Sequence, residues 1–593
     1  MTNYSRFLRV SFLPFASLLL VFAISSCKPS EKATQTAKAP ATTSPKGKKQ
    51  LTEEELINLK FLFVNATKER ALGNDDKAAE LFAQCIRIDG GNHASMYELA
   101  RIYAEKRKLT DALFFARSAR QLDPQNEWYR IFLGNLYMSA KKGPEAESEF
   151  SSLYKDHPRN LDYAFKYASA LLFNGKIQEA IKVYDKVEDE IGISADLSVE
   201  KERLWLRLGK VDKAAEEIEK LIASDPKNIK HYSLLVELYQ VNNMPEKAYE
   251  SIQRMQGVDA GSPYVMLALA EYYRSTNQKE KSFEQLKLAF AHKELETDLK
   301  LKIITSYMPL VEGSPEMMDQ ATTLSQIFAE TNPEDAMALA IYADFLTMNQ
   351  KYEEAAKKYE ASLLINNKTF IVWQQLLICQ SQLSDFPAML RTSTEALTLF
   401  PDQSIVYLFN GISLSQSDRH EEAVSILNAG SKLVVDNDFQ LIQFYSNLAD
   451  NYNTLKKYEE SDANFDKALK LDPRDPLILN NYAYYLSVRK VNLEKAESMS
   501  KLSNEIRPDQ ASYEDTYGWI LFEMGKYNDA LIWLQKALDH GGSANGTILE
   551  HMGDVLFKLN RNTEALDYWK RAKEAGDTSD KIDQKIKDQK FYE

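Results

Sequence analysis

The chain has 593 residues, 44% of them hydrophobic and 27% charged, which is enough apolar material for several ordinary domains or one long repetitive one. Against 86 Asp and Glu stand 73 Lys and Arg, a net charge of -13; that sign is wrong for a phosphate-binding surface and excludes nucleic acid as the expected partner. The three cysteines, Cys27, Cys85 and Cys379, are too few and too dispersed for a disulfide framework or a zinc site of paired ligands.

At the N-terminus, Arg6 and Arg9 precede an apolar run from Phe12 to Ile24 that contains Pro14. A membrane-spanning helix needs ~20 apolar residues, so the run is too short to cross and fits the apolar region of a secretory signal. Ile24-Ser25-Ser26-Cys27 then places an aliphatic and two small residues before a cysteine. This resembles the lipobox of bacterial lipoproteins, which implies that residues 1–27 are a signal peptide and that Cys27 is diacylated, becomes the new N-terminus and is acylated again. Several acyl chains make attachment effectively permanent, at ~0.8 kcal/mol per buried methylene. Lys28 is not the Asp that resembles an inner-membrane retention signal, so the expected location is the cell envelope of a Gram-negative bacterium, at the outer membrane.

Residues 28–50, with six Lys and one Glu, contain no large apolar side chain and cannot bury enough surface to fold. They are predicted to be a disordered tether, with an end-to-end distance of roughly 26 Å when flexible and about 75 Å when fully stretched. Order is predicted to begin at Leu51, because Thr52 and Glu55 have the spacing of a capping box and Leu51 and Leu56 that of a hydrophobic staple.

From there one pattern recurs. Alanines at 78, 112, 146, 180 and 214 are each 34 residues apart, and Ala248 and Ser282 continue the series; after a longer step it resumes at Ala321, Ala355, Met389 and Ala423, and then, with small insertions, at Ser461, Ala496, Ala530 and Ala565. Twelve residues before this marker sit small residues such as Ala66, Ala100, Gly134, Ala168, Gly411, Gly518 and Gly553, as two closely packed helices require. Twelve after it, Pro124, Pro158, Pro226, Pro333, Pro401, Pro473 and Pro508 are placed to stop the second helix. The period and the segment YEDTYGWILFEMGKYNDALIWLQKAL, through Gly518, Leu521, Gly525, Tyr527, Ala530, Leu534 and Ala537, resemble the tetratricopeptide repeat. That resemblance implies an all-α fold, a right-handed α-solenoid of about fifteen helix-turn-helix units. Register breaks near Gly313-Ser314-Pro315 and Val435-Asp436-Asn437-Asp438 divide it into expected arrays at 51–290, 291–435 and 436–576, with 577–593 as a capping tail. Cys85 and Cys379 read as small core residues.

The resemblance also implies that first helices line a concave binding face. On that register the last three units present Asn480 and Tyr484, then Asp515, Trp519 and Phe522, then Glu550, Asp554 and Phe557, an exposed acidic and aromatic strip suited to an extended peptide; the alternative is that Trp519 and Phe557 pack between helices and the acids are merely solvated. Tyr97, Arg101, Phe165, Arg203 and Arg207 give the N-terminal units a more mixed face. Phe63 and Thr67 occupy the places of the Lys and Asn clamp of chaperone-binding members, so chaperone-tail binding is not implied.

No constellation for catalysis emerges. Gly541 to Thr547 lacks the Lys of a phosphate loop, and His551 beside Glu550 lacks the second His of a zinc-protease helix. The expectation is a non-enzymatic, lipid-anchored envelope scaffold with no cofactor and no metal, holding protein or peptide partners in secretion, polysaccharide export or wall assembly. The alternative is an outer-membrane lipoprotein that captures glycans or peptides for uptake.

Overall fold

The computed structural model describes residues 50–592, so Cys27 and nearly all of the expected tether lie outside the described residues. The described chain is an all-α solenoid of helix pairs, parting into two compact units between Ala289 and Phe290. Among the described residues no helix is long and apolar enough to cross a membrane.

The first described helix starts as the capping-box spacing predicts. Glu55 N–H donates to Thr52 Oγ1 at 3.2 Å and Thr52 N–H to Glu55 Oε2 at 3.0 Å, satisfying two of the otherwise orphaned amides of the helix Glu53–Ala71. In the first unit, pairs follow without interruption from Glu53–Ala71 with Asp75–Ile88 to Pro263–Ser275 with Lys279–Phe290. The second unit opens irregularly, with Thr297–Thr305 and the single turn Met308–Val311 before Pro315–Thr331. Lys300, fully buried there, bonds Asn332 Oδ1 at 2.9 Å, and burial pushes its ammonium down to about 8. Regular pairs resume with Ala336–Met348 and Tyr352–Ile365, run to Gly546–Lys558 and Asn562–Ala575, and are followed by the short helix Ile582–Asp588.

The marker positions are where the two helices of a pair touch. Fourteen of the fifteen have 0% exposure, and Ser282 has 6%. Opposite them, the small residues leave room for a large side chain sixteen positions on: a Cβ on Gly134 would lie 2.5 Å from the Phe150 ring, one on Gly411 2.4 Å from Leu427, and one on Gly553 2.5 Å from the Trp569 indole. Where Ser replaces the marker Ala, its hydroxyl is satisfied across the same contact, Ser282 Oγ by Ala270 O at 2.7 Å and Ser461 Oγ by Ala449 O at 2.9 Å. Cys85 and Cys379 are buried free thiols, and burial pushes the Cys379 thiol up to about 11.

Helix ends follow equally local rules. Second helices stop at Leu122, Asp156, Ser224, Thr331, Leu399, Leu471 and Ile506, each two residues before a proline. First helices end on a residue with positive φ once per repeat, as at Gly73, Arg107, Lys141, Gly175 and Gly209. The reversed chain then donates back, for example Lys108 N–H to Tyr103 O at 2.8 Å and Lys142 N–H to Tyr137 O at 2.8 Å, which closes the last turn before the second helix starts.

Candidate partner-binding site

Asn480 and Tyr484 lie on the first helix Pro476–Val488, Asp515, Trp519 and Phe522 on Ala511–Glu523, and Glu550, Asp554 and Phe557 on Gly546–Lys558. The spacing i, i+4, i+7 puts each set on one helical face. Neighbouring first helices pack side by side, so these faces meet one another at a separation of one repeat. The His551 ring, 36 residues on from Asp515, places Nδ1 2.9 Å from Asp515 Oδ1 and stacks on Trp519 at 4.1 Å between ring centres, while Trp519 stacks on Phe522 at 4.8 Å. The same one-repeat pairing joins His93 Nδ1 to the Tyr129 hydroxyl at 2.9 Å in the first unit and the Tyr163 hydroxyl to Glu127.

This geometry corrects the expectation of an exposed acidic strip. Asp515, Glu550 and Asp554 are only 8, 3 and 1% exposed, and Asn480 and Phe522 are buried too. Lys585, on the short helix Ile582–Asp588, sits where the first helix of a further repeat would and reaches Glu550 Oε1 at 2.8 Å and Asp554 Oδ2 at 2.7 Å. Ser579 N–H and Oγ–H donate to Glu550 at 2.7 and 2.5 Å, and Trp569 Nε1–H donates to Asp554 Oδ1 at 2.9 Å. Burial pushes the Asp554 carboxyl up to about 6 even though Lys585 and His551 oppose it. For Glu550 burial is outweighed by Lys585 and Ser579, which hold it below its ordinary value. Trp519 and Phe557 are half-buried, and Phe557 packs on Trp569 at 5.8 Å between ring centres.

Among the described residues, Asp509, Glu514 and His540 bring ligand-type atoms within 4.8 Å of one another. His540 Nδ1 faces Glu514 at 2.8 Å and Nε2 faces Asp509 at 3.6 Å, and the bond to Glu514 raises the imidazole's pKa. Each ring nitrogen therefore points at a different carboxylate, the arrangement of a histidinium shared by two acids.

An open pocket of 290 Å³ lies instead in the first unit, between the first helices Ala195–Arg207 and Ile229–Val241. Val199, Leu206, Leu234 and Val241 give it apolar walls, and Glu202, Arg203 and Glu237 supply its charges. Glu202 stands at the position that ten of the fifteen repeats fill with Ala or Gly, and Ile218, sixteen residues on, is the side chain it opposes across the pair. A long charged side chain cannot close that contact as a glycine does, and the space remains. Burial pushes the Glu202 carboxyl up, with Glu237 and Glu200 adding to it and Arg203 opposing. Arg203 is the pocket residue that the sequence places on the binding face; the small-residue series lapses at 202 beside the pocket, but also at Val236, Pro309 and Leu377, which do not line it.

The tetratricopeptide-repeat family profile matches residues 133–193 and 442–475. A TPR repeat-containing protein of Pseudomonas aeruginosa is 28% identical over 155 residues, 26% of this chain and 25% of that protein, and one of Bacillus subtilis is 26% identical over 142 residues, 23% of this chain and 33% of that protein. The aligned part is thus a quarter to a third of the length of these relatives. Among solved structures, the APC/C hetero-tetramer Cut9–Hcn1 is 13% identical, covering 84% of this chain and 96% of that one at a TM-score of 0.36. Yeast Tom70 is 14% identical, covering 84% and 94% at a TM-score of 0.30.

Proposed function

The chain is a tetratricopeptide-repeat protein, and we propose that it is a lipid-anchored envelope scaffold that holds a protein partner as an extended segment along its first-helix faces. Repeats of this kind imply protein partners. The anchor is Cys27, on the strength of its lipobox-like setting, and the machine served is one of secretion, polysaccharide export or wall assembly. The observation that carries the binding half is the open pocket bounded by Val199, Leu206, Leu234 and Val241 with Glu202 and Glu237 beside it. Apolar walls beside two carboxylates suit an aliphatic or aromatic side chain that neighbours a Lys or Arg.

A peptide-display library panned on the full chain tests this half. Enrichment of sequences with an apolar residue beside a basic one is expected. Val241 is 73% exposed and Glu237 is exposed, so Glu237→Lys with Val241→Asp leaves the core alone and should weaken the enriched peptides by roughly tenfold or more, the loss of one hot-spot contact. Equal binding to both proteins would sink the pocket's role. For the anchor, Cys27→Ala is expected to move the protein from the membrane pellet to the soluble fraction of a cell lysate, and unchanged fractionation would defeat that part alone.

A further inference from the structure

We infer that residues 589–592 are a resident plug on a docking surface for a partner segment bearing an aromatic side chain. This rests on the scaffold reading but concerns the other end of the repeat array. Within the strip, Phe522 has an aromatic occupant of its own. The chain leaves the helix Ile582–Asp588 through Gln589, whose φ of 51° is left-handed, and lays Phe591 against Phe522 at 5.6 Å between ring centres and 61° between planes. The Lys558 ammonium stands 4.4 Å and that of Lys585 5.2 Å from the centre of the Phe591 ring, a cation on an aromatic face.

The two parts of the tail are held very differently. Up to Lys585 it is locked by charges buried against Glu550 and Asp554 and by Ser579. Beyond Gln589 its grip on the repeats is the half-buried Phe591 ring, while the Tyr592 hydroxyl donates to Asp588 within the tail itself. The surface beneath is what hot spots use: stacked aromatic rings of Trp519, Phe522 and His551, with an exposed ammonium, Lys558, at the rim. A partner Phe or Tyr takes the place of Phe591, edge against Phe522 and face toward Lys558, and the plug sets the affinity threshold because it competes from within the same chain.

The test uses a fluorescein-labelled peptide of this chain's own residues 587–593, KDQKFYE, and fluorescence anisotropy with the full chain. Phe591→Ala is expected to bind it about tenfold more tightly than wild type, the factor by which a plug closed about nine-tenths of the time lowers apparent affinity, and the peptide with both its Phe and its Tyr replaced by Ala should bind neither protein. Equal binding to wild type and variant, or none to either, overturns the inference. So does loss of hydrogen-exchange protection across Gly546–Lys558 in Phe591→Ala, since that would make Phe591 a piece of core. Panning at the pocket of Val199 to Val241 is read on the same two proteins and should be unaffected, so a failure here is distinct from a failure of the scaffold reading.

Discussion

Replacing Lys201 by Met is expected to destabilise the repeat Ala195–Ser224 by ~3–5 kcal/mol, toward the lower end. Lys201 has no solvent exposure and bonds Asp185 at 2.7 Å and both Glu188 and Glu217 at 2.9 Å. Burial alone would lower its pKa; the three carboxylates outweigh burial and raise it. Met keeps most of the volume but strands two acids whose side chains are 13% and 7% exposed. Lys220, at 3.0 Å from each, remains as their partner and tempers the loss. Because a repeat array is coupled through nearest neighbours, the effect is local. Hydrogen exchange should show residues 195–224 losing protection while 352–399 keep theirs, and adding Glu217→Gln to Lys201→Met should recover part of the loss. Uniform loss across the chain, or a variant as stable as wild type, would contradict the network's role.

Trp569→Ala should cost ~3–5 kcal/mol in the last repeat, the range for emptying a buried aromatic site. The indole is fully buried, lies against the open side of Gly553, and donates to Asp554 at 2.9 Å. Its removal opens a void that Gly553 cannot fill and leaves a carboxylate one donor short. Trp569→Phe keeps most of the ring and should lose about 1.5–3 kcal/mol, the worth of one hydrogen bond to a charged group, because Lys585 still donates to both Asp554 oxygens at 2.8 and 2.7 Å. Denaturant titration followed by circular dichroism separates the two, and equal losses would mean that the hydrogen bond, not the volume, dominates.

Much of the fold was legible because it rests on short-range rules. A small residue every 34 positions, a proline twelve residues later and the Thr52–Glu55 box each act within one helix pair, and the structure places all three where the spacing predicts. The strip on the last three first helices was legible as a set of positions but not as a surface. Whether Glu550 and Asp554 face water depends on what the following first helix presents, and here that is Lys585, 35 residues after Glu550. Continuing the repeat register into the tail would have placed this lysine opposite both acids. The pocket at Glu202 was harder to see because it arises where the small-residue rule lapses: a residue that spoils close packing looks like noise until the space it leaves has been located.

The one-repeat ladders have a mechanical consequence. Arg254 grips Glu219 at 2.6 and 2.8 Å and Lys247 grips Asp212 at 2.9 Å, each bridging 35 residues, as Lys585 does farther along, where His551 bridges 36. Bonds that reach only to the adjacent rung share tension step by step, so each compact unit should stretch like a spring and shed its end rungs first under a pulling force. A repeat array of this kind would yield gradually under load, instead of snapping at one threshold.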